Sequence, residues 1–339
     1  MRFKLALLLG LGGCARVQLP RSDHCDGARF FNRAPTARAL KSLGEVLRWR
    51  FGSRPSDWPT ALPAAPAPDL RAAVAAGTVR ITMINHATLL VQFPGLTVLT
   101  DPVFSERVSP VSFAGPRRVR PPGIALEALP HVDVVVLSHG HYDHLDLDSL
   151  AQIVRRDRPP IVAPLGHAAL LAGAGLGPVQ ELDWWQSSRP LQGLTITLTE
   201  AQHWSARGLF DHNRALWGGF GLAAAGLQIY FAGDSGYGPH FARVRERLGP
   251  IDVALLPIGA YAPRWFMQAQ HMAPEEAVQA HRDLQAQRSL GIHFGTFQLT
   301  DEAIDDPPNA LRAALRRAHL AAECFIAPFN GQVFTWPPS

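Results

Sequence analysis

Residues 137 to 145 of this 339-residue chain read L-S-H-G-H-Y-D-H-L, which brings four metal-binding side chains into six positions. They are His139, His141, Asp143 and His144. His139 and His141 are two residues apart, so an extended segment can point both toward one metal ion, while Asp143 and His144 on the next turn can serve a second. Zinc readily binds imidazole nitrogen and carboxylate oxygen. The stretch therefore predicts a metal site, and Gly140 is expected to allow the tight bend it needs.

Three further residues with the same ligand chemistry lie at the ends of other predicted strands. His203 follows a strand predicted at 194–200, Asp234 follows one at 227–232, and His293 lies in one at 290–294. Taken singly, either histidine could be an ordinary core residue. Their joint placement at strand ends predicts that they complete a dinuclear centre.

The elements that must position these side chains alternate between strands and helices. The run V-D-V-V-V-L at 132–137 is nearly continuous in apolar residues, as expected for a strand buried on both faces, and the histidine stretch follows it directly. Short β-rich runs at 79–84, 87–93 and 96–100 precede it, and helices are predicted at 147–156, 274–285 and 309–319. This pattern predicts an α/β fold in which two packed sheets are flanked by helices, a four-layer αββα sandwich.

Composition limits the classes of protein to consider. With 47% hydrophobic and 18% charged residues, the chain is expected to be globular. The formal net charge is +4, but no basic run indicates nucleic-acid binding. Residues 15–77 are expected to form an N-terminal arm with a Pro/Ala-rich linker, and residues 78–339 the catalytic domain. Whether Cys25 and Cys324 pair stays open.

The first fourteen residues have the layout of a lipoprotein-type signal peptide. A positive start, M-R-F-K, precedes an apolar run at 5–11 that is too short to span a membrane. Leu11-Gly12-Gly13-Cys14 resembles the bacterial lipobox, which implies lipidation of Cys14. The protein is therefore expected to be exported and anchored in a membrane, and Ala15 after the cysteine favours the outer membrane, facing the periplasm.

The order H-x-H-x-D-H, then H, then G-D, then H resembles that of the metallo-β-lactamase-fold hydrolases. Two stretches are similar to one group among them, the N-acyl-phosphatidylethanolamine-hydrolysing phospholipases D. They are I-G-A-Y-A-P-R-W-F-M-Q-A-Q-H-M-A-P-E-E-A from Ile258 and G-I-H-F-G-T-F from Gly291. The motifs T-D-P-V-F-S from Thr100 and Q-H-W from Gln202 are also similar, and the likeness extends over roughly residues 20 to 335.

This resemblance implies two zinc ions per chain and a role for each nearby polar residue. The first zinc is expected to be held by His139, His141 and His203. The second is expected to be held by Asp143, His144 and His293, with Asp234 bridging the two. Two residues, Tyr142 and His271, are expected to contact the phospholipid. His86 and Asp101 are expected to orient ligands.

The implied reaction is hydrolysis of N-acyl-phosphatidylethanolamine or a related phospholipid by attack of a zinc-bridging hydroxide on phosphorus, with Asp143 and Asp234 as catalytic residues. The paired H-x-K-x-x-x-x-D mechanism of ordinary phospholipases D is excluded, because Lys41 is the only lysine beyond the leader. Another hydrolase on the same fold, such as a lactonase or a β-lactamase, and a non-catalytic envelope lipoprotein stay open. The expected partners are the phospholipid and, through lipidated Cys14, the membrane surface. Nucleic acid is not an expected partner, and a homodimer stays open.

Overall fold

A computed structural model describes residues 19–33 and 41–337 of the protein. The predicted signal peptide, including Cys14, lies outside the described residues. Within them, no helix has both the length and the apolar character needed to cross a membrane. Cys25 and Cys324 are both free thiols, so they do not form a disulfide with each other.

The first sheet contains seven strands from the first half of the chain and its C-terminal end. They are β1 (Val79–Asn85), β2 (Thr88–Phe93), β3 (Leu96–Thr100), β4 (Val134–Val136), β5 (Ile161–Pro164), β6 (Val179–Leu182) and β14 (Val333–Trp336). Their order across the sheet is β14-β1-β2-β3-β4-β5-β6. The pairs from β14 to β3 are antiparallel, and those from β3 to β6 are parallel.

The second sheet repeats this layout with seven strands from the second half of the chain. They are β7 (Ser187–Leu191), β8 (Leu194–Thr199), β9 (Gly219–Ala224), β10 (Leu227–Phe231), β11 (Val253–Pro257), β12 (Arg288–Ile292) and β13 (Phe325–Ile326). Their order is β13-β12-β11-β10-β9-β8-β7. The pairs from β7 to β10 are antiparallel, and those from β10 to β13 are parallel.

Seven α-helices accompany the sheets in the part of the chain that the structure describes. They are α1 (Leu43–Gly52), α2 (Leu147–Asp157), α3 (Ala168–Gly173), α4 (His240–Leu248), α5 (Arg264–Met267), α6 (Pro274–Asp283) and α7 (Asp306–Arg317). Helices α2 and α3 bury residues against the outer face of the first sheet, and α4, α6 and α7 against that of the second. A third apolar core lies between the sheets. The predicted four-layer αββα sandwich is confirmed.

The described N-terminal residues pack against these layers. Cys25 and Phe30 are each 2% exposed and belong to the core between the sheets. His24 is held between the carboxylates of Asp23 and Asp183, at 2.7 Å from each. Residues 19–33 therefore act as a strap that is fixed to the two sheets through buried apolar contacts and hydrogen bonds.

Candidate metal centre

The predicted ligand residues come together at one edge of the two sheets. The histidine stretch follows β4 of the first sheet, whereas His203, Asp234 and His293 follow β8, β10 and β12 of the second. Gly233 lets the sheets approach here, because its φ is +60° and a Cβ at this position would lie 2.8 Å from Cβ of Ser138. The residue before Asp234 must therefore be glycine for the two ends to meet.

Three histidines form a first group of converging ring nitrogens. His139 Nε2 lies 2.8 Å from His141 Nδ1, and His203 Nε2 lies 3.3 Å from the same atom. His139 and His203 are each 1% exposed, while His141 is partly exposed. Three imidazole nitrogens that converge in this way match the ligand set of one zinc ion.

A second group lies around the carboxylate of Asp143. Its Oδ2 atom is 3.3 Å from His293 Nε2 and 3.5 Å from His144 Nε2. His86, which the sequence suggested as an orienting residue, places Nε2 3.1 Å from the same oxygen. Asp143, His144, His293 and His86 each offer one possible ligand atom, and these four atoms lie within 4.8 Å of one another.

Asp234 lies between the two groups. Its Oδ2 atom is 3.0 Å from His293 Nε2 and 3.2 Å from His144 Nε2 in the second group. The same atom is 3.7 Å from His203 Nε2 and 3.9 Å from His139 Nε2 in the first. One carboxylate therefore faces both groups, although the role of each residue as a ligand stays a prediction.

Hydrogen bonds on the far side of the rings fix which nitrogen points inward. His144 Nδ1 bonds to Asp101 Oδ2 at 2.7 Å, and His203 Nδ1 bonds to the carbonyl of Gln270 at 2.9 Å. His139 Nδ1 lies 2.9 Å from Ser138 Oγ, which itself donates to Asp101. Each ring therefore directs Nε2 toward the centre, the arrangement found where histidine binds metal.

The electrostatics differ between the two groups. Burial lowers the pKa of all three histidines in the first group: that of His139 falls well below its usual value, that of His141 falls to about 3 and that of His203 to about 4. The first group is therefore neutral, and its ring nitrogens keep lone pairs that can bind a metal ion. Burial also lowers the pKa of His293, but the charge of Asp234 and the hydrogen bond to Asp143 outweigh it and raise that pKa to about 9. Metal binding to the second group must therefore displace protons.

The central atoms fit a metal ion. Within the described residues, Asp234 Oδ1 and His144 Nε2 are buried atoms of the cluster that make no hydrogen bond. A buried carboxylate oxygen without a partner costs free energy that a cation would recover. The donors are only imidazole nitrogens and carboxylate oxygens, the set that borderline divalent ions prefer.

The remaining predicted residues lie beside this cluster. The Tyr142 hydroxyl donates to the carbonyl of Arg207 at 3.0 Å, and the Arg207 guanidinium lies 4.0 Å from the tyrosine ring centroid. His271 is buried, and its Nδ1, which has no hydrogen-bond partner among the described residues, lies 4.0 Å from Asp234 Oδ2. His271 therefore lies within reach of the metal ligands as well as of a substrate, which its sequence position did not indicate.

The chain bends at Gly140 as expected, but the bend itself does not require glycine. Gly140 does not have the positive φ that would require glycine. A Cβ at this position would instead lie 2.9 Å from Ser205 Oγ, which accepts the Gly140 N–H at 3.1 Å. The glycine provides room for this hydrogen bond to the loop after His203.

Asn32 of the strap holds a predicted ligand, and the sequence gave no indication of it. Its Nδ2 donates to the carbonyl of His203 at 3.0 Å, and its Oδ1 accepts the His203 N–H at 3.2 Å. The Trp217 indole N–H also donates to this oxygen at 3.2 Å. The strap therefore contributes directly to the position of the first group.

Three residues at or beside the second group have a strained backbone. His86, Asp101 and His293 have φ values of +46°, +33° and +62°, which L-residues rarely adopt. Each such residue costs on the order of 1–3 kcal/mol and persists where the surroundings require it. Gly259 has a related constraint, since a Cβ there would lie 2.1 Å from the carbonyl oxygen of His293.

Comparison with known proteins gives a match to a broad family and a similarity to a named enzyme. The family described as "Beta-lactamase superfamily domain" matches residues 97–294. N-acyl-phosphatidylethanolamine-hydrolyzing phospholipase D 1 of Caenorhabditis elegans is 41% identical over 266 residues, which cover 75% of this chain and 74% of that protein.

Two further similarities concern shorter or more distant proteins. Outer membrane protein RomA of Klebsiella pneumoniae is 41% identical over 102 residues, 30% of this chain and 75% of that protein. The structure of Igni18, a metallo hydrolase of the archaeon Ignicoccus hospitalis, aligns with a TM-score of 0.60 at 23% identity, covering 77% of this chain and all of that one. The last likeness supports the fold alone.

Proposed function

The chain belongs to the metallo-β-lactamase-fold hydrolases and is a relative of the N-acyl-phosphatidylethanolamine-hydrolysing phospholipases D, and from this premise we propose that it is a zinc-dependent phosphodiesterase. Its proposed substrate is N-acyl-phosphatidylethanolamine or a related phospholipid. The observation that carries the proposal is the position of Asp234, whose Oδ2 faces both groups of histidines. Two metal ions held in this way would be suited to the hydrolysis of a phosphodiester, because such a pair can stabilise both the attacking and the leaving oxygen.

The proposed ligands are three histidines on one ion, Asp143 with two histidines on the other, and Asp234 on both. A bound metal pair would supply a water nucleophile at neutral pH and neutralise charge that develops on the phosphoryl oxygens. The Asp143 carboxylate accepts hydrogen bonds from His86 and His293 and so holds a fixed negative charge at the edge of the cluster. It is placed to accept a proton from the attacking water.

Two residues are proposed to recognise the phospholipid. The Tyr142 hydroxyl proton is already donated to Arg207, so its oxygen can only accept a hydrogen bond from a substrate donor such as an amide N–H. Burial lowers the pKa of His271, so its ring is neutral and its unpaired Nδ1 is available to a substrate atom. Nearby, Leu209 and Phe210, on the loop that contains Arg207, are 91% and 82% exposed, which suits contact with lipid.

Metal analysis tests the first half of this proposal. Protein folded with zinc should contain about two equivalents per chain, as expected for a two-metal site. His203→Ala removes one ligand of the first group and should reduce the content by about one equivalent. One equivalent or none in the unaltered protein, with no change in His203→Ala, would refute the dinuclear centre.

Two substrates separate chemistry from recognition. Asp143→Asn should reduce turnover of both N-acyl-phosphatidylethanolamine vesicles and a soluble diester such as bis(p-nitrophenyl) phosphate, by about 10²–10³-fold for a well-placed catalytic group. Tyr142→Phe and His271→Ala should act mainly on the phospholipid, by about 1–3 kcal/mol per lost polar contact. Equal losses on both substrates would assign these two residues to the catalytic machinery. Hydrolysis of a lactone or β-lactam in place of either phosphodiester would support the alternative hydrolases.

For location, we propose an exported lipoprotein of the outer membrane that faces the periplasm. The proposal is supported by the lipobox-like sequence before Cys14 and by the likeness to RomA over part of the chain. Cys14→Ser should release the protein from membranes or leave the leader uncut. Unchanged fractionation together with unchanged mass would rule out the anchor.

A further inference from the structure

Helix α1 turns its apolar residues toward solvent. Leu43, Val46, Leu47 and Phe51 are 74%, 39%, 45% and 83% exposed, and α1 has no buried residue. Their spacing of three, four and eight residues puts all four on one face of the helix. A surface helix of a globular protein normally buries such a face against the core. Here the four residues of this face, the α1 stripe, are all exposed, and none of them is buried in the core.

The other side of α1 holds it on the protein through polar and aromatic contacts. The Trp49 ring stacks on Phe266 with centroids 4.7 Å apart, and its indole N–H donates to Asp301 Oδ2 at 3.0 Å. The Arg48 guanidinium lies 4.7 Å from the ring centroid of Trp265. Ser42 caps the helix in a capping box with Glu45. The helix is therefore fixed with its apolar face outward.

We propose that the α1 stripe docks on the surface of an anionic phospholipid bilayer. The charges on this side of the helix favour this partner: Arg50 and Arg54 are exposed cations, whereas the acidic Glu45 is engaged by Ser42. An interfacial helix buries an apolar face in lipid while arginine side chains reach the phosphate groups.

The position of α1 connects this surface to the metal cluster. Trp49 packs on Phe266 in α5, and the His271 N–H donates to the carbonyl of Met267 in the same helix at 2.9 Å. Helix α1 is therefore linked through α5 to the segment that carries His271. The inference deepens the proposed function, on which it rests for the choice of a phospholipid surface, and its test does not require turnover.

Hydrogen exchange at α1 tests the proposal on the full chain. Every arm carries Cys14→Ser, so that no acyl anchor contributes and any effect of the leader is common to all. Amides of residues 43–52 should be protected by vesicles of phosphatidylcholine with phosphatidylglycerol, and less by phosphatidylcholine alone. Phe51→Glu should weaken vesicle affinity by about tenfold or more, since a buried aromatic is replaced by a charge that the surface repels. Arg50→Gln should weaken it about fivefold, the factor that corresponds to about 1 kcal/mol per basic residue.

The matched control is Ala172→Glu, which changes the net charge equally at an exposed position of α3. It should keep both vesicle affinity and α1 protection. Equal protection in Phe51→Glu, or none in the parent chain, would overturn the proposal. Protection that rises with protein concentration in the absence of vesicles would overturn it in favour of a second copy. Hydrolysis of the soluble diester should be unchanged in Phe51→Glu, whereas vesicle binding without any diester hydrolysis would reject the proposed function and leave the docking surface in place.

Discussion

Asp101→Asn should disable the second metal group although Asp101 lies outside it. The fully buried Asp101 carboxylate accepts from the Ser138 N–H at 2.7 Å, from Ser138 Oγ at 2.5 Å and from His144 Nδ1 at 2.7 Å. An asparagine keeps the shape but replaces one acceptor by an N–H₂ donor. If that donor faces His144, Nδ1 must become the acceptor and the proton must move to Nε2, the atom that faces the metal.

The size of the effect follows from these contacts. When a metal-binding histidine loses the hydrogen-bond partner that orients its ring, metal affinity typically falls by about 10–100-fold. One or two buried donors left unpaired should lower the free energy of unfolding by about 1–3 kcal/mol each. The first quantity is measured by competing the second zinc equivalent against a chelator, and the second by urea unfolding of the metal-free protein.

Asp252→Asn is the control, because Asp252 Oδ2 also accepts a backbone N–H, that of Gln228 at 2.8 Å. It lies just before β11, at the end of the second sheet opposite to the ligands. This variant should lose stability without losing metal affinity. Normal zinc affinity in Asp101→Asn, or an equal loss in Asp252→Asn, would show that the carboxylate acts only on general stability and that the tautomer argument is wrong.

Three further predictions concern zinc affinity, proton release and the pH dependence of stability. Asn32→Ala should weaken zinc binding about tenfold by freeing the backbone of His203, and chelator competition that gives the parent affinity would contradict it. Zinc binding at pH 7 should release about two protons from His144 and His293, and about one more where a zinc-bound water ionises. Proton release is measured by calorimetry in buffers of different ionisation enthalpy, and release of one proton or none would contradict the raised pKa values of both rings. Carboxylate hydrogen bonds raise the pKa of His24 despite its burial, so its contribution to stability is fully present below about pH 6.5 and is lost as the pH rises through the folded-state pKa. The difference in unfolding free energy between the parent and His24→Gln should shrink over that rise, and a difference that grows would reverse the assignment.

Much of the fold could be predicted because its central strands carry their own pattern. The apolar run before the histidine stretch and the alternating run at 194–200 correspond to β4 and β8. The edge strands β6 and β7 were missed, because V-Q-E-L and S-S-R-P-L carry polar or charged residues with no apolar alternation. An edge strand forms because the neighbouring strand offers unpaired backbone N–H and C=O groups. The residues of the edge strand itself therefore give little indication that it will pair.

The candidate site divides in the same way. The meeting of the predicted ligand residues at strand ends could be predicted, since the end of a buried strand fixes where the next side chains lie. The contact of Asn32 with His203 could not, because it joins residues 171 positions apart and only the folded path of the strap brings them together. The outward face of α1 was equally hidden, since an apolar stripe in a sequence is normally read as a buried one.

The division of the predicted ligands between two sheets has a consequence for the order of folding. His139, His141, Asp143 and His144 come from the first sheet, and His203, Asp234 and His293 from the second. A chain in which either half has collapsed alone therefore presents only part of the set. Contacts between residues so far apart in sequence form late, because loop closure costs entropy before they are made. Recovery of metal binding during refolding thus reports the joining of the halves, while recovery of β-structure reports an earlier event.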